Sequence, residues 1–426
     1  MKLYPRILAA TLCSILLALG FSARAQTYTN TAAGWWTNSA IWSATPPAGG
    51  SNTAAVILNF GTGGTATNNF TGAFVLNRLA FLGQNVTLQS YNGSYLLFTN
   101  TPSGTLPVIT NSVAKFLVIN SDITLATNLS LSVTTAGGLI TINSNITESA
   151  VASLTIKPGA GAVILSGNNT YSGGTIITNG FLRMGNNNVL GTGLLTFNSG
   201  TLASDGGTAR SLTNNILITG TAAFGDTTGT GALTLSGAID LNGGNRTLTI
   251  ANTTNLITGA ISNGALTIGT GSTGILILTN VNNSFTATTT INGGILQFNN
   301  TAAMGGTNIL INSGGALAAT GAYTPQGWLD SGRISTNSTG ALALTAYNST
   351  PINFATSNYA TLYLGAIGTV TNTGIITPAN NTYRLGGGTG TLVLTNNLAL
   401  VDSGGARSLI TVGNVTLRLL WRRPAR

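Results

Sequence analysis

The chain has 426 residues, of which 43% are hydrophobic and only 5% are charged. Disorder goes with low hydrophobicity and high charge, so it is excluded, and the length is ample for a large core. The net charge of +9 does not point to nucleic acid, because Lys2, Arg6, Arg24, Arg418, Arg422, Arg423 and Arg426 carry it at the two ends. Nine basic and seven acidic side chains remain between them, with no basic stripe interleaved with aromatics.

Met1 to Ala25 reads as a secretory signal peptide. Lys2 and Arg6 form its positive start, Ile7 to Phe21 is mostly apolar, and Ala23-Arg24-Ala25 supplies the small-x-small site. Cleavage is expected between Ala25 and Gln26. Cys13, the only cysteine, lies inside this leader, so the processed chain has no disulfide and no thiol metal site. There is no histidine, which removes the commonest general base and metal ligand.

Residues 26–110 form a less repetitive segment that opens with Trp35, Trp36 and Trp42. An indole face is apolar and takes C–H contacts, so these three are candidate carbohydrate-stacking residues. The competing role is a lid over the first coil, which a solenoid requires to cover its open strand edges. Strands are expected at Val56 to Phe60, Phe74 to Leu76, Val86 to Leu88 and Tyr95 to Phe98.

The periodic body is expected over 111–417. Apolar and Thr residues alternate in short runs: Phe116 to Ile119, Leu129 to Val133, Leu139 to Ile142, Leu154 to Ile156, Asn215 to Ile218, Ala232 to Leu235, Arg246 to Ile250 and Ala265 to Ile268. Such runs, bounded by Gly and Asn, predict strands with one face inward. No sustained 3.6-residue period follows the leader, so helix content is predicted to be very low. At about 20 to 25 residues per coil, the chain predicts roughly 16 to 20 coils stacked at about 4.8 Å. Like residues then sit above like residues, and Asn or Thr side chains can ladder.

Gly161 to Gly200 is the reference unit of this body. It contains Ser166-Gly167-Asn168-Asn169-Thr170-Tyr171, Ser172-Gly173-Gly174-Thr175 and Asn179-Gly180-Phe181-Leu182. A second copy spans Gly274 to Gly314. Asn282-Asn283-Ser284-Phe285 answers Asn168 to Tyr171, Gly294 answers Gly180 at an offset of about 114 residues, and Met304-Gly305 answers Leu190-Gly191. Asn312-Ser313-Gly314 answers Asn198-Ser199-Gly200. The second copy has Thr286-Ala287-Thr288-Thr289 in place of Ser-Gly-Gly-Thr.

This pattern resembles the autotransporter-associated β-strand repeat of exported bacterial proteins. The strong match covers about a tenth of the chain. The resemblance implies an all-β fold, a right-handed parallel β-helix (β-solenoid) with an N-terminal cap. Gly167, Asn169, Tyr171, Gly174, Asn179, Gly180, Leu182, Gly191 and Gly200 are then structural positions of the repeat. It also implies an exported protein, at the cell surface or outer membrane or extracellular.

Later features read as connections. The cluster Gly386-Gly387-Gly388-Thr389-Gly390 lacks the Lys-Ser/Thr ending of a phosphate loop and reads as a turn between strands. Residues 418–426 hold four arginines and are foreign to the rest of the chain. They suggest a frame shift or truncation near Leu417, or a basic surface tail. No ten-residue alternation with aromatic girdles marks a membrane barrel, so membrane attachment is expected through a missing or separate anchor or translocator.

Chemistry-bearing groups are few. Asp122, Glu148, Asp205, Asp226, Asp240, Asp330 and Asp402 are scattered, and Asp226 with Asp240 is the best-placed pair for assembly across coils. No catalytic residue, cofactor or metal site is expected, and the Gly-Gly-x-Gly-x-Asp calcium repeat is absent. The reading is a non-enzymatic surface scaffold or adhesin making weak multivalent contacts with polysaccharide or other cells, without nucleic acid. The alternatives are a polysaccharide lyase or hydrolase built on a β-helix, and a fragment of a longer autotransporter with no function of its own.

Overall fold

In the computed structural model the described residues are 26–50, 55–60, 63–100, 104–157, 159–251, 254–306, 308–395, 400 and 406–417. The segment read as a signal peptide, Met1 to Ala25, with its Cys13, and the basic segment 418–426 lie outside them.

The short apolar runs become strands of two to six residues over most of the chain, and the named strands pair in parallel. A parallel neighbour must be reached by a crossover, so each strand pairs with one a full coil away. Ile140 pairs with Val163, Val163 with Leu182 and Leu182 with Leu202. The result is a parallel β-solenoid of about 15 turns with almost no helix. That is fewer than the 16 to 20 the chain length suggests: residues 1–25 lie outside the described residues, and residues 319–362 spend length on long turns and a helix.

Three faces are visited in order. The second face is a thirteen-stranded sheet from Gly34–Trp35 to Ile309–Ile311. The chain then enters a third face, and returns through the first, an eleven-stranded sheet from Thr27–Asn30 to Ile261–Ser262. The third face is a four-stranded sheet from Ala73–Leu76 to Ile146–Glu148, and from Arg210–Leu212 onward a later eleven-stranded sheet. Thirteen strands stacked at about 4.8 Å span roughly 58 Å.

Alternation in sequence becomes alternation in burial, as a period of two requires. Leu139–Ile142 and Ile275–Leu278 both alternate half-buried with buried side chains. Register stacks the inward residues into columns. One runs Val86, Leu117, Ile140, Val163, Leu182, Leu202, Phe224 and Ile250, all buried. Another runs Leu79, Ile109, Leu131, Ile156, Ile177, Phe197 and Ile218. Across the core Phe197 and Phe224 meet edge to face at 5.8 Å.

The turns carry the polar ladders. Asn145 N–H donates to Asp122 Oδ1 at 3.1 Å, and Asn168 N–H donates to Asn145 Oδ1 at 2.9 Å. Asn188 Nδ2 reaches Asn168 Oδ1 at 3.4 Å, and Asn312 Nδ2 donates to Asn292 Oδ1 at 2.7 Å. Amides one coil apart thereby satisfy backbone and side-chain groups that the short strands leave unpaired.

Two local expectations change. A six-residue helix, Pro325–Asp330, stands where the sequence shows no periodicity. Pro325 opens it, Thr324 caps Gly327 N–H at 3.1 Å, and Trp328 and Leu329 are its buried residues. The glycine cluster is not a turn: Gly386, Gly387 and Gly388 lie inside the strand Thr382–Leu394, where the register shifts as in a bulge. A Cβ on Gly386 would sit 1.7 Å from Val412 O, so only glycine lets the two backbones pass.

Candidate functional site

The most defined local arrangement is the repeat unit. An ordinary coil uses all three faces, as in Leu139–Ile142, Ile146–Glu148 and Leu154–Ile156. The first copy omits one. Ala162–Leu165 lies on the second sheet, Thr175–Ile177 on the first, and no strand lies between. The four-stranded sheet therefore ends at Ile146–Glu148.

Asn169 closes that end. It is 5% exposed, its Oδ1 accepts Ile146 N–H at 2.8 Å, and Thr170 N–H returns to Ile146 O at 3.0 Å. Asn169 N–H donates to Asn188 O at 3.0 Å, and its Nδ2 donates to Val189 O at 2.6 Å. One amide side chain replaces a strand edge on both sides, so that Ile146 N–H and Val189 O both find partners.

Tyr171 fills the corner left by the missing strand. It is fully buried, and its hydroxyl bonds Thr175 Oγ1 at 2.7 Å, while Thr175 Oγ1 also donates to Leu190 O at 3.2 Å. Burial pushes the Tyr171 hydroxyl pKa upward, and the Thr175 bond opposes this only in part. Gly191, at φ +64°, makes room for the ring: a Cβ there would lie 2.2 Å from Tyr171 O and 2.9 Å from the ring. Gly167 and Gly174 pass close to the backbone at Ser144 and Leu194, and Gly200 faces Gly180 across the pairing. Leu182 is a core residue, and Asn179 sits in the bend just before the strand Gly180–Met184.

The second copy repeats this geometry with different partners. Asn283 Oδ1 accepts Ile261 N–H at 2.8 Å, Ser284 N–H returns to Ile261 O at 2.8 Å, and Asn283 Nδ2 donates to Ala303 O at 2.8 Å. Phe285 is 1% exposed, and a Cβ on Gly305 would lie 2.8 Å from its ring. The face differs, however. Ile275–Leu278 lies on the later third-face sheet and Thr289–Ile291 on the second, so the omitted strand belongs to the first sheet, which ends at Ile261–Ser262. Each copy ends a sheet, and the two copies end different ones.

Omitting a strand also opens a notch. In the first copy it is a polar groove of about 470 Å³ whose lining includes Asn168, Asn187, Asn188, Thr192, Thr213 and Asn215.

The Trp-rich segment divides. Trp36 is fully buried, edge to face with Trp42 at 5.4 Å and with Phe74 at 4.8 Å. Trp42 is 7% exposed, and its Nε1 donates to Trp36 O at 3.0 Å. Trp36 and Trp42 therefore have no open ring face for a sugar, which corrects the reading of all three as stacking residues. Trp35 is half exposed and packs against exposed Tyr91 at 5.0 Å.

The acidic residues are engaged singly. Asp226 Oδ2 pairs with Arg183 Nε at 2.9 Å, and Asp205 Oδ1 pairs with Arg210 at 2.7 Å. Asp240 Oδ1 accepts Asn263 Nδ2 at 2.8 Å and Asn242 N–H at 2.6 Å. The carboxylates of Asp226 and Asp240 are thus taken up separately, and the pairing expected across coils is not formed. Burial raises Glu148, but bonds from the Ser172 hydroxyl and backbone and from Ala152 N–H outweigh it and hold the carboxyl below its ordinary value. Among the described residues no group of three or more His, Cys, Asp or Glu side chains could hold a metal ion.

No curated protein and no solved structure matches the chain. Residues 156–184 and 270–298 match the family model described as passenger-associated-transport-repeat. Both matches fall on the strand-omitting corners built around Asn169 and Asn283, and the chain is accordingly a parallel β-solenoid carrying two copies of the autotransporter passenger repeat.

Proposed function

We propose that the chain is an exported, passenger-type scaffold that holds polysaccharide or another cell-surface polymer through weak, repeated contacts. The two passenger repeats and the solenoid support the passenger part of this reading. One observation supports the polymer part. Among the described residues the exposed aromatic side chains are Trp35, Tyr91, Phe116, Phe181 and Tyr347. The first four lie on, or directly after, strands of the thirteen-stranded sheet. Solvent-facing aromatics spaced along one parallel sheet suit a polymer running along the stack, because each contact raises the effective concentration for the next. A scaffold of this kind releases no product from the polymer it holds.

The test is retention of the processed chain on insoluble polysaccharides, together with reducing-end release from the same polymers. Retention that falls in a Trp35→Ala, Tyr91→Ala double variant, with no reducing ends released, is the expected result. Absence of retention on every polymer would remove the binding role, and catalytic release of reducing ends would remove the scaffold role.

A further inference from the structure

The thirteen-stranded sheet carries a groove of about 380 Å³, within the range of roughly 300–1,000 Å³ usual for small-ligand sites. Exposed Phe116 and Phe181 are both part of its lining. Register places Phe116 beside Leu139, Leu139 beside Ala162, and Ala162 beside Phe181. The two rings are therefore three strand steps apart, about 14 Å.

The groove wall is polar. Arg183 and Asp226 form their ion pair there, with side chains 17% and 10% exposed. Arg183 uses Nε for this bond, and its two terminal nitrogens make no further bond among the described residues. Asp226 Oδ2 receives that bond, while Oδ1 is held by backbone N–H groups of its own loop. A fixed planar edge results, with N–H donors beside an oxygen that keeps an accepting lone pair.

We propose that this groove is a subsite for a neutral polysaccharide built of hexopyranose units, an inference that rests on the polymer-binding reading above. Phe116 and Phe181 take the C–H faces of two sugar rings. The Arg183–Asp226 edge takes a pair of vicinal hydroxyls, donating to one oxygen and accepting the proton of its neighbour. The guanidinium charge is already neutralised by Asp226, so an anionic polymer gains no advantage over a neutral one. The glycines and alanines that line the groove keep its floor low enough for a chain to lie between the rings.

Calorimetric titration of the processed chain with cello-, laminari-, manno- and maltohexaose, and with oligogalacturonate as the anionic comparison, tests this. Binding of at least one neutral hexaose is expected, weakened roughly tenfold in Phe181→Ala and in Phe116→Ala at unchanged melting temperature, and weakened as much in Arg183→Gln. Both Phe side chains are exposed, so their variants remain informative if Arg183→Gln fails to fold. Binding that survives Phe181→Ala and Phe116→Ala but is lost in Trp35→Ala overturns this subsite and leaves the polymer-binding reading standing. Tighter binding of oligogalacturonate than of every neutral hexaose overturns the neutral class. If neither the hexaoses nor the insoluble polymers bind, both readings fall.

Discussion

Replacing Tyr171 by Ala and by Phe separates the two things its side chain does. The ring fills a fully buried corner against Gly191 and reaches Thr175. Truncation to Ala empties that corner, and the stacked coils on either side are tied by backbone bonds and cannot collapse into it. Loss of a buried aromatic of this kind costs about 3–5 kcal/mol. Tyr171→Phe keeps the ring and removes one bond, a cost of about 0.5–1.5 kcal/mol. The low end applies, because Thr175 Oγ1 retains Leu190 O as a partner. The second copy already has this form, with Phe285 at the corner and Thr289 buried beside the same turn. Solenoids unfold in segments, so the assay is urea unfolding combined with native-state hydrogen exchange of amides in 146–195. Tyr171→Ala within about 0.5 kcal/mol of wild type, or Tyr171→Phe as costly as Tyr171→Ala, would refute the corner-filling argument.

Asn169→Ala leaves Ile146 N–H and Val189 O without partners, and a loss of about 2–4 kcal/mol is expected in chemical denaturation. Asn283→Ala, which strands Ile261 N–H and Ala303 O, should match it within about 1 kcal/mol. Gly191→Ala combines φ +64° with a contact of 2.2 Å to Tyr171 O, and a drop in melting temperature larger than for Gly93→Ala, an exposed glycine with a similar φ of +72° and nothing within 4 Å of an added Cβ, should be seen by circular dichroism. An alkaline effect also follows from Tyr171. Its folded pKa is raised above the ordinary 10.0, so its contribution is fully present below about pH 10 and is lost as the unfolded chain ionises above it. Melting temperatures measured from neutral to strongly alkaline pH should fall less steeply in Tyr171→Phe than in wild type. Tyr359, raised by burial and by Asp330, keeps part of the slope.

Strand positions were legible because every run is short and punctuated. Leu129–Val133, Leu139–Ile142 and Ala265–Ile268 follow from β-branched and Leu residues with Gly or Asn at one or both ends. Two-residue strands such as Ile239–Asp240 and Ile261–Ser262 carry too little alternation to show. The role of Asn169 was visible only as a recurring turn residue. What it does depends on Ile146 N–H, a group 23 residues away that no local pattern names. The face on which each copy lies was equally hidden, since the repeat is the same string on either. In the Trp segment, composition could not separate exposed Trp35 from buried Trp36, because neighbours on a strand point to opposite sides. The glycine cluster read as a turn, since glycine marks both a reversal and a close pass between backbones. The Arg183–Asp226 groove joins side chains 43 residues apart and gave no sequence signal.

The displacement of the two copies onto different faces limits how they can be related. Duplicating a whole coil, or any number of whole coils, returns a sequence to the azimuth from which it was copied. Ala162–Leu165 and Ile275–Leu278 occupy different azimuths, so whole-coil duplication alone does not connect them. What has been reused is a corner piece that carries its own edge-sealing amide, its own aromatic plug and the glycine that admits the plug. Such a piece is portable. It follows a second-face strand in one copy and a third-face strand in the other, and its place in the stack, rather than its sequence, decides which face loses a strand.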